Sequence, residues 1–236
     1  MKAHSRLQQA QNILHSVVSE AQQKAAALAE DSADILHGSE FHGHGIRLLP
    51  QQRTALQNRI LHGLEHIAWC NGAGFASYAA PTAQHDGYWT LEWWFKEETT
   101  IRQAQLERNQ ETRQRLDFRG FDWFGQPARL HQPFVEGPYV DYVCNGAYTI
   151  TAAHPVLLDG AFAGVAAVDI LVATLERLLH PALIAIGQPA LVVNRDCRVV
   201  ISAAPRIRVG SLWRGPESGE NPHEQARPLR LLLLNA

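Results

Sequence analysis

Apolar side chains recur at two different spacings along this chain, and the change from one to the other divides it. Over residues 5–36 the spacing is helical: Leu7, Ala10, Leu14, Val17, Ala21 and Leu28 fall on one narrow stripe, interrupted by Lys24, which predicts one long helix. A stripe this narrow suits packing on the protein's own sheet or pairing with a second helix in a dimer. A Gly- and His-containing loop at 38–52, closed by Pro50, leads to a second helix predicted over 51–69, with Leu56, Ile60, Leu64 and Ile67 on one face.

From residue 73 the spacing drops to two. Residues 73–79 and 88–95 read as strands, joined by a loop with Pro81 and Asp86-Gly87. In the second of them alternation sends Trp89, Leu91 and Trp93 to one face and Tyr88, Thr90, Glu92 and Trp94 to the other. Charges of alternating sign at helical spacing over 97–116 predict a solvated helix covering the sheet, with Arg102, Arg108, Arg113 and Arg115 as surface ion-pair partners. Residues 118–130 read as an aromatic loop, because Gly120, Gly125 and Pro127 break any long element.

Three strand-like runs follow at 139–144, 148–158 and 162–170, separated by Asn145-Gly146 and Asp159-Gly160, both strong hairpin pairs. They predict an antiparallel meander. Leu171, Leu175, Leu178 and Leu179 mark a short helix ended by Pro181, and 190–194 with 198–203 read as a further hairpin. From Gly210 the chain is rich in Pro, Gly and charge until an apolar run at 229–234, suited to an edge strand or a docking segment.

The chemistry concentrates in the meander. Asp169 stands in a run otherwise fit for burial, and a buried charge needs a partner. Asp141 lies at the start of another strand, so pairing of the two strands is expected to bring both acids and the Tyr139 ring toward one pocket, with a ligand cation as the expected partner.

Taken in order, Asp122-Trp123-Phe124, the Pro138 to Asp141 step, the Thr149 to Val156 strand and the Asp159 to Ile170 run resemble the Cache sensor domains, PAS-like modules of bacterial receptors and regulators. The resemblance covers roughly residues 72–179. It implies an α+β fold: an antiparallel sheet of five or six strands, a long N-terminal helix behind it and short helices capping the ligand face. It divides the chain into an N-terminal helical segment at 1–70, a sensor domain at 71–205 and a tail at 206–236.

In amino-acid-binding Cache domains an R-x-W-Y segment supplies an arginine for the ligand carboxylate, and Tyr and Asp residues further on hold the ammonium. Here Trp123 matches, Phe124 stands in place of the tyrosine and Phe121 in place of the arginine, while Tyr139, Asp141 and Asp169 match the cation end. A guanidinium makes paired bonds to a carboxylate that a phenyl ring cannot replace. The expected ligand is therefore a small amine or polyamine, held by Asp141 and Asp169 with Tyr139 at the edge and Phe121, Trp123, Phe124 and either Trp93 or Trp94 as walls. An amino acid is the alternative, with Arg119, or less readily Arg129, supplying the missing charge.

Composition narrows the rest. With 21 basic and 23 acidic residues the net charge is −2, which gives no footprint for nucleic acid or an anionic membrane. The first 30 residues lack a signal-type apolar core and no 18-residue apolar run occurs, so a cytoplasmic location is expected. Cys70, Cys144 and Cys197 are widely spaced, which suggests neither a disulfide framework nor zinc.

Twelve histidines raise the possibility of a metal enzyme, with His37, His42 and His44 in one loop. His62 and His66 flank Glu65, but the order is not H-E-x-x-H, and no nucleophile elbow or phosphate loop is present. The expectation is a noncatalytic sensor without cofactor or metal, a homodimer passing its signal to a separate regulatory protein.

Overall fold

The computed structural model describes residues 2–39, 45–83, 87–104, 117–144, 146–215 and 225–234. Helix α1 (Lys2–Leu36) and helix α2 (Pro50–His66) precede strands β1 (Cys70–Ala79), β2 (Tyr88–Glu97) and β3 (Thr100–Gln103). A 3-10 turn (Phe118–Gly120) and helix α3 (Asp122–Leu130) lead to β4 (Phe134–Val140), β5 (Tyr148–Leu158) and β6 (Ala161–Leu171), then helix α4 (Val172–Ile186). Strands β7 (Ala190–Asn194), β8 (Val199–Ser202) and β9 (Leu229–Leu233) complete the chain.

The first six strands form one antiparallel sheet in the order β3-β2-β1-β6-β5-β4. Its centre is the β5–β6 hairpin, closed at Asp159-Gly160 with φ of +50° and +81°, the positive values that a tight two-residue turn demands. Strands β7, β8 and β9 make a separate three-stranded sheet, so the apolar run near the C-terminus pairs with Ala190–Asn194 across the expected boundary at residue 205.

Helix α1 crosses β5 and β6 and packs against α4. Ala10, Leu14, Ala21 and Leu28 on its stripe are buried in the same cluster as Phe75, Ile150, Val168 and Ile170 of the sheet. Its apolar face is thus spent within the molecule.

Three local expectations change. The polar segment after β2 begins as strand β3, because Glu98 takes a positive φ of 52° and turns the chain back onto β2; residues 105–116, with Arg108, Arg113 and Arg115, lie outside the described residues. The aromatic loop contains a nine-residue helix, α3, since Trp123, Phe124 and Pro127 fall on one face and are buried together. Helix α4 runs through Pro181 to Ile186, carried by the buried stripe Leu175, Leu179, Leu183 and Ile186.

Candidate ligand site

Strand alternation gives the sheet two faces with different tasks. On one, Ala73, Phe75, Val168 and Ile170 meet the helices. On the other, Trp93, Phe95, Trp123, Phe124, Phe118 and Phe162 form an aromatic cluster with Tyr139, Phe121 and Cys144 packed on it. The rings meet at short range: Trp93 and Trp123 lie 5.2 Å apart between centroids, and Phe121 and Tyr139 lie 5.0 Å apart.

The polar heart of this face is Asp169. In register it stands opposite Gly72 of β1 on one side and Thr151 of β5 on the other. Gly72 is required there, because a Cβ would run into the Asp169 carboxylate and come within 3.2 Å of the Trp93 indole nitrogen. Thr151 donates its hydroxyl proton to Asp169 at 2.7 Å, and the Tyr139 hydroxyl lies 2.7 Å from the same Thr151 oxygen. Since Thr151 has one hydrogen and spends it on Asp169, Tyr139 must donate, and the relay points toward the carboxylate. The Trp93 N–H makes no hydrogen bond of good geometry, yet it sits close enough to favour the charged acid.

Asp141 is also buried, but it is not on a strand as expected. Strand β4 begins at Phe134 and ends at Val140, its Gly137-Pro138 pair tolerated because β4 is an edge strand. Asp141 therefore opens the connecting loop, where its Oδ1 accepts from the backbone N–H groups of Val143 and Cys144 at 3.0 and 3.3 Å. Asn145 lies outside the described residues.

The two acids are near enough to act on one another. Burial, and then the negative charge of Asp141, push the Asp169 carboxyl up to about 8. Both acids, after burial itself, raise the Tyr139 hydroxyl and the Cys144 thiol well above their ordinary values. Among the described residues neither acid has a lysine or arginine partner.

Two expected site residues stand elsewhere. Trp94 faces the helices, packed on the other cluster, so Trp93 alone of the pair walls the site. Arg119 is bound by Asp117 at 2.6 Å and stacks over Tyr78 and Trp89 at 4.2 and 4.3 Å. Tyr78 is six residues from Gly72 on β1, about 20 Å at strand rise, so Arg119 serves the far end of this face. Glu92, on the helix side, pairs with Arg53 of α2.

Sequence reasoning missed Thr151, Gly72 and Glu136. Glu136, on β4, accepts the backbone N–H of Trp123 at 2.6 Å and so holds the first turn of α3, the helix that carries the aromatic wall. Burial raises its carboxyl to about 7, against the pull of that bond.

Neither a protein-family profile nor a curated protein sequence matches the chain. Solved structures do. The ligand-binding domain of the Campylobacter jejuni chemoreceptor Tlp3, in complex with L-norvaline, aligns with a TM-score of 0.58 at 16% identity over 88% of this chain and 72% of that one. This chain has the Cache fold. The Pseudomonas fluorescens chemoreceptor CtaA, in complex with L-valine, aligns at 0.51 and 16% identity over 82% of this chain and 69% of that one. The extracellular domain of a putative histidine kinase, soHK1S-Z6, aligns at 0.55 and 13% identity, over 81% of this chain and 65% of that one.

Among the described residues no three His, Cys, Asp or Glu side chains gather to hold a metal, and no helix is long and apolar enough to cross a membrane; His42 and His44 lie outside those residues.

Proposed function

We propose that this chain is a noncatalytic sensor domain whose ligand is a small organic ammonium, an amine or polyamine. One observation carries the reading: Asp169 and Asp141 are buried on the aromatic face without a basic partner among the described residues. A ligand ammonium supplies the missing charge. It donates charge-assisted bonds to the carboxylates, and the Trp93, Trp123, Phe121 and Tyr139 rings add cation–π attraction of about 0.5–2 kcal/mol each where a face is presented. Phe124 meets Trp123 edge to face, their centroids 6.0 Å apart, and so braces that wall.

An amino acid is the second reading, favoured by the L-norvaline and L-valine bound to the similar chemoreceptor domains. It needs a carboxylate clamp, and Arg119 is already engaged by Asp117 and two rings. Butylamine and L-norvaline differ only by the carboxylate and separate the two readings. In calorimetric titration butylamine or a longer amine should bind, with binding lost in Asp169→Ala and kept in Arg119→Gln. Tighter binding of L-norvaline, weakened by Arg119→Gln, would establish the amino-acid reading instead. Output passes to a protein or segment beyond these two sheets, since the Cache fold supplies recognition and no effector chemistry.

A further inference from the structure

Behind the ligand face, between α1, α2 and β1, lies a cavity of about 200 Å³. Its floor is apolar: Leu28 of α1, Ile60 and Ile67 at α2 and its end, and Cys70, Ala73 and Val168 of the sheet. Burial raises the Cys70 thiol to about 12, so the wall stays uncharged at neutral pH. The rim is basic. Lys24 and Arg59 stand there with His62 and His66, whose rings are 4.3 Å apart, against one acid, Asp31, 3.8 Å from Arg59.

Gly63 lies among the lining residues. It sits inside helix α2, where glycine is the poorest helix former after proline, and a Cβ there would meet nothing within 4 Å. Neither left-handed backbone nor close packing asks for glycine at this position. A larger side chain here has room to extend over the cavity.

We propose that this cavity is a second small-molecule site, for an aryl or short alkyl carboxylate whose apolar tail fills the floor while its charge meets the basic rim. An apolar cavity of about 150 Å³ accommodates benzene, so the volume here suits a phenyl-sized tail. Charge complementarity selects the head group: Asp31 offsets one of the fixed cations and leaves the other with the two histidines. The site lies on the opposite face of the sheet from Asp169 and stands independently of the amine reading.

Phenylacetate tests it, with benzyl alcohol as the neutral counterpart. Calorimetric titration should show saturable phenylacetate binding that is weaker for benzyl alcohol and falls about two- to fivefold with each of Lys24→Gln and Arg59→Gln, the scale of an exposed ion pair. Gly63→Leu should abolish it while circular dichroism and melting temperature stay close to the parent. Should that variant misfold, Ala27→Leu closes the same mouth from α1. Asp169→Asn should leave phenylacetate binding intact. The anomalous signal of 4-bromophenylacetate in a crystal should place bromine beside Ile60 and Val168. Absence of saturable binding, or binding unchanged when the mouth is filled, overturns the proposal. So does conversion of a dimer to a monomer by Gly63→Leu, which would assign the groove to a second copy.

Discussion

Asp169 costs the folded protein stability, and under the proposed function the same charge supplies affinity for ligand. Its carboxyl titrates near 8 in the folded chain against an ordinary 3.8. Between those values the folded state keeps a proton that the unfolded state has released, so stability falls as pH rises across that window and is level above it. Asp169→Asn, which keeps the shape and the Thr151 contact, should therefore make the unliganded protein more stable by an order of about 1 kcal/mol at neutral pH and above, while losing all response to amine. Denaturant titration at pH 5 and pH 8 checks both signs. An ammonium favours the ionised carboxylate, so affinity should climb with pH toward 8, with proton release measurable by calorimetry in buffers of different ionisation enthalpy. Gly72→Ala should displace the carboxylate and weaken binding sharply, at about 1–3 kcal/mol of stability. The acid itself was readable as a charge in an apolar run; its neighbour Thr151 was not. Continuing the register of the Asp159-Gly160 turn straight down the hairpin would set Asp169 opposite Ile150. A bulge between Val156 and Leu157 moves it to Thr151, and no residue type there announces the extra position.

Helix α3 shows the same limit one scale up. Gly125 and Pro127 read as breakers, and locally they are; what outweighs them is Glu136, which arrives from β4 to accept the first-turn N–H, together with burial of Trp123 and Phe124. Such a tertiary contact leaves no trace in a window of sequence. The Glu136 carboxyl sits near 7 in the fold against 4.5 ordinarily, so its burial lowers stability progressively from about pH 4.5 to 7. Glu136→Gln should flatten that stretch of the stability–pH curve. Glu136→Ala removes the acceptor altogether and should cost about 0.5–2 kcal/mol, the range for a lost helix cap, with weaker ligand binding because the aromatic wall loosens. Equilibrium unfolding from pH 4 to 8 separates the two variants. The long elements were easier: α1 carries a helical period that its burial follows, while β5 and β6 are long apolar runs buried on both faces.

At the scale of the whole molecule the two sheets share one apolar core, in which Val192, Val200 and Leu231 are buried with Leu14, Ile150 and Leu175, and a polar contact ties their edges. Asn194 of β7 donates to the Gly137 carbonyl of β4 at 2.8 Å while its own oxygen accepts from the N–H groups of Asp196 and Arg198. Asn194→Ala should speed amide exchange in β7–β9 and leave β1 and β6 protected, with amine affinity little changed; exchange mass spectrometry reads this directly. Long-range pairing of this kind was the least legible part of the sequence, since β9 joins β7 from 35 residues away and only its apolarity marked it as a strand. Leu14 and Val17, on the stripe suited either to the protein's own sheet or to a second helix, lie in the core, so charged substitutions there should unfold the chain and not merely separate copies. Strand β6 belongs to both faces at once: Asp169 looks toward the aromatics, while Val168 and Ile170 look toward α1 and α4. A one-residue insertion anywhere between Gly164 and Asp169 would trade those allegiances, turning the acid into oil and two aliphatic groups into the recognition surface. Substitution in β6 leaves that division of faces intact, whereas an added residue preserves it only where a bulge takes it up, as one does opposite Val156 and Leu157.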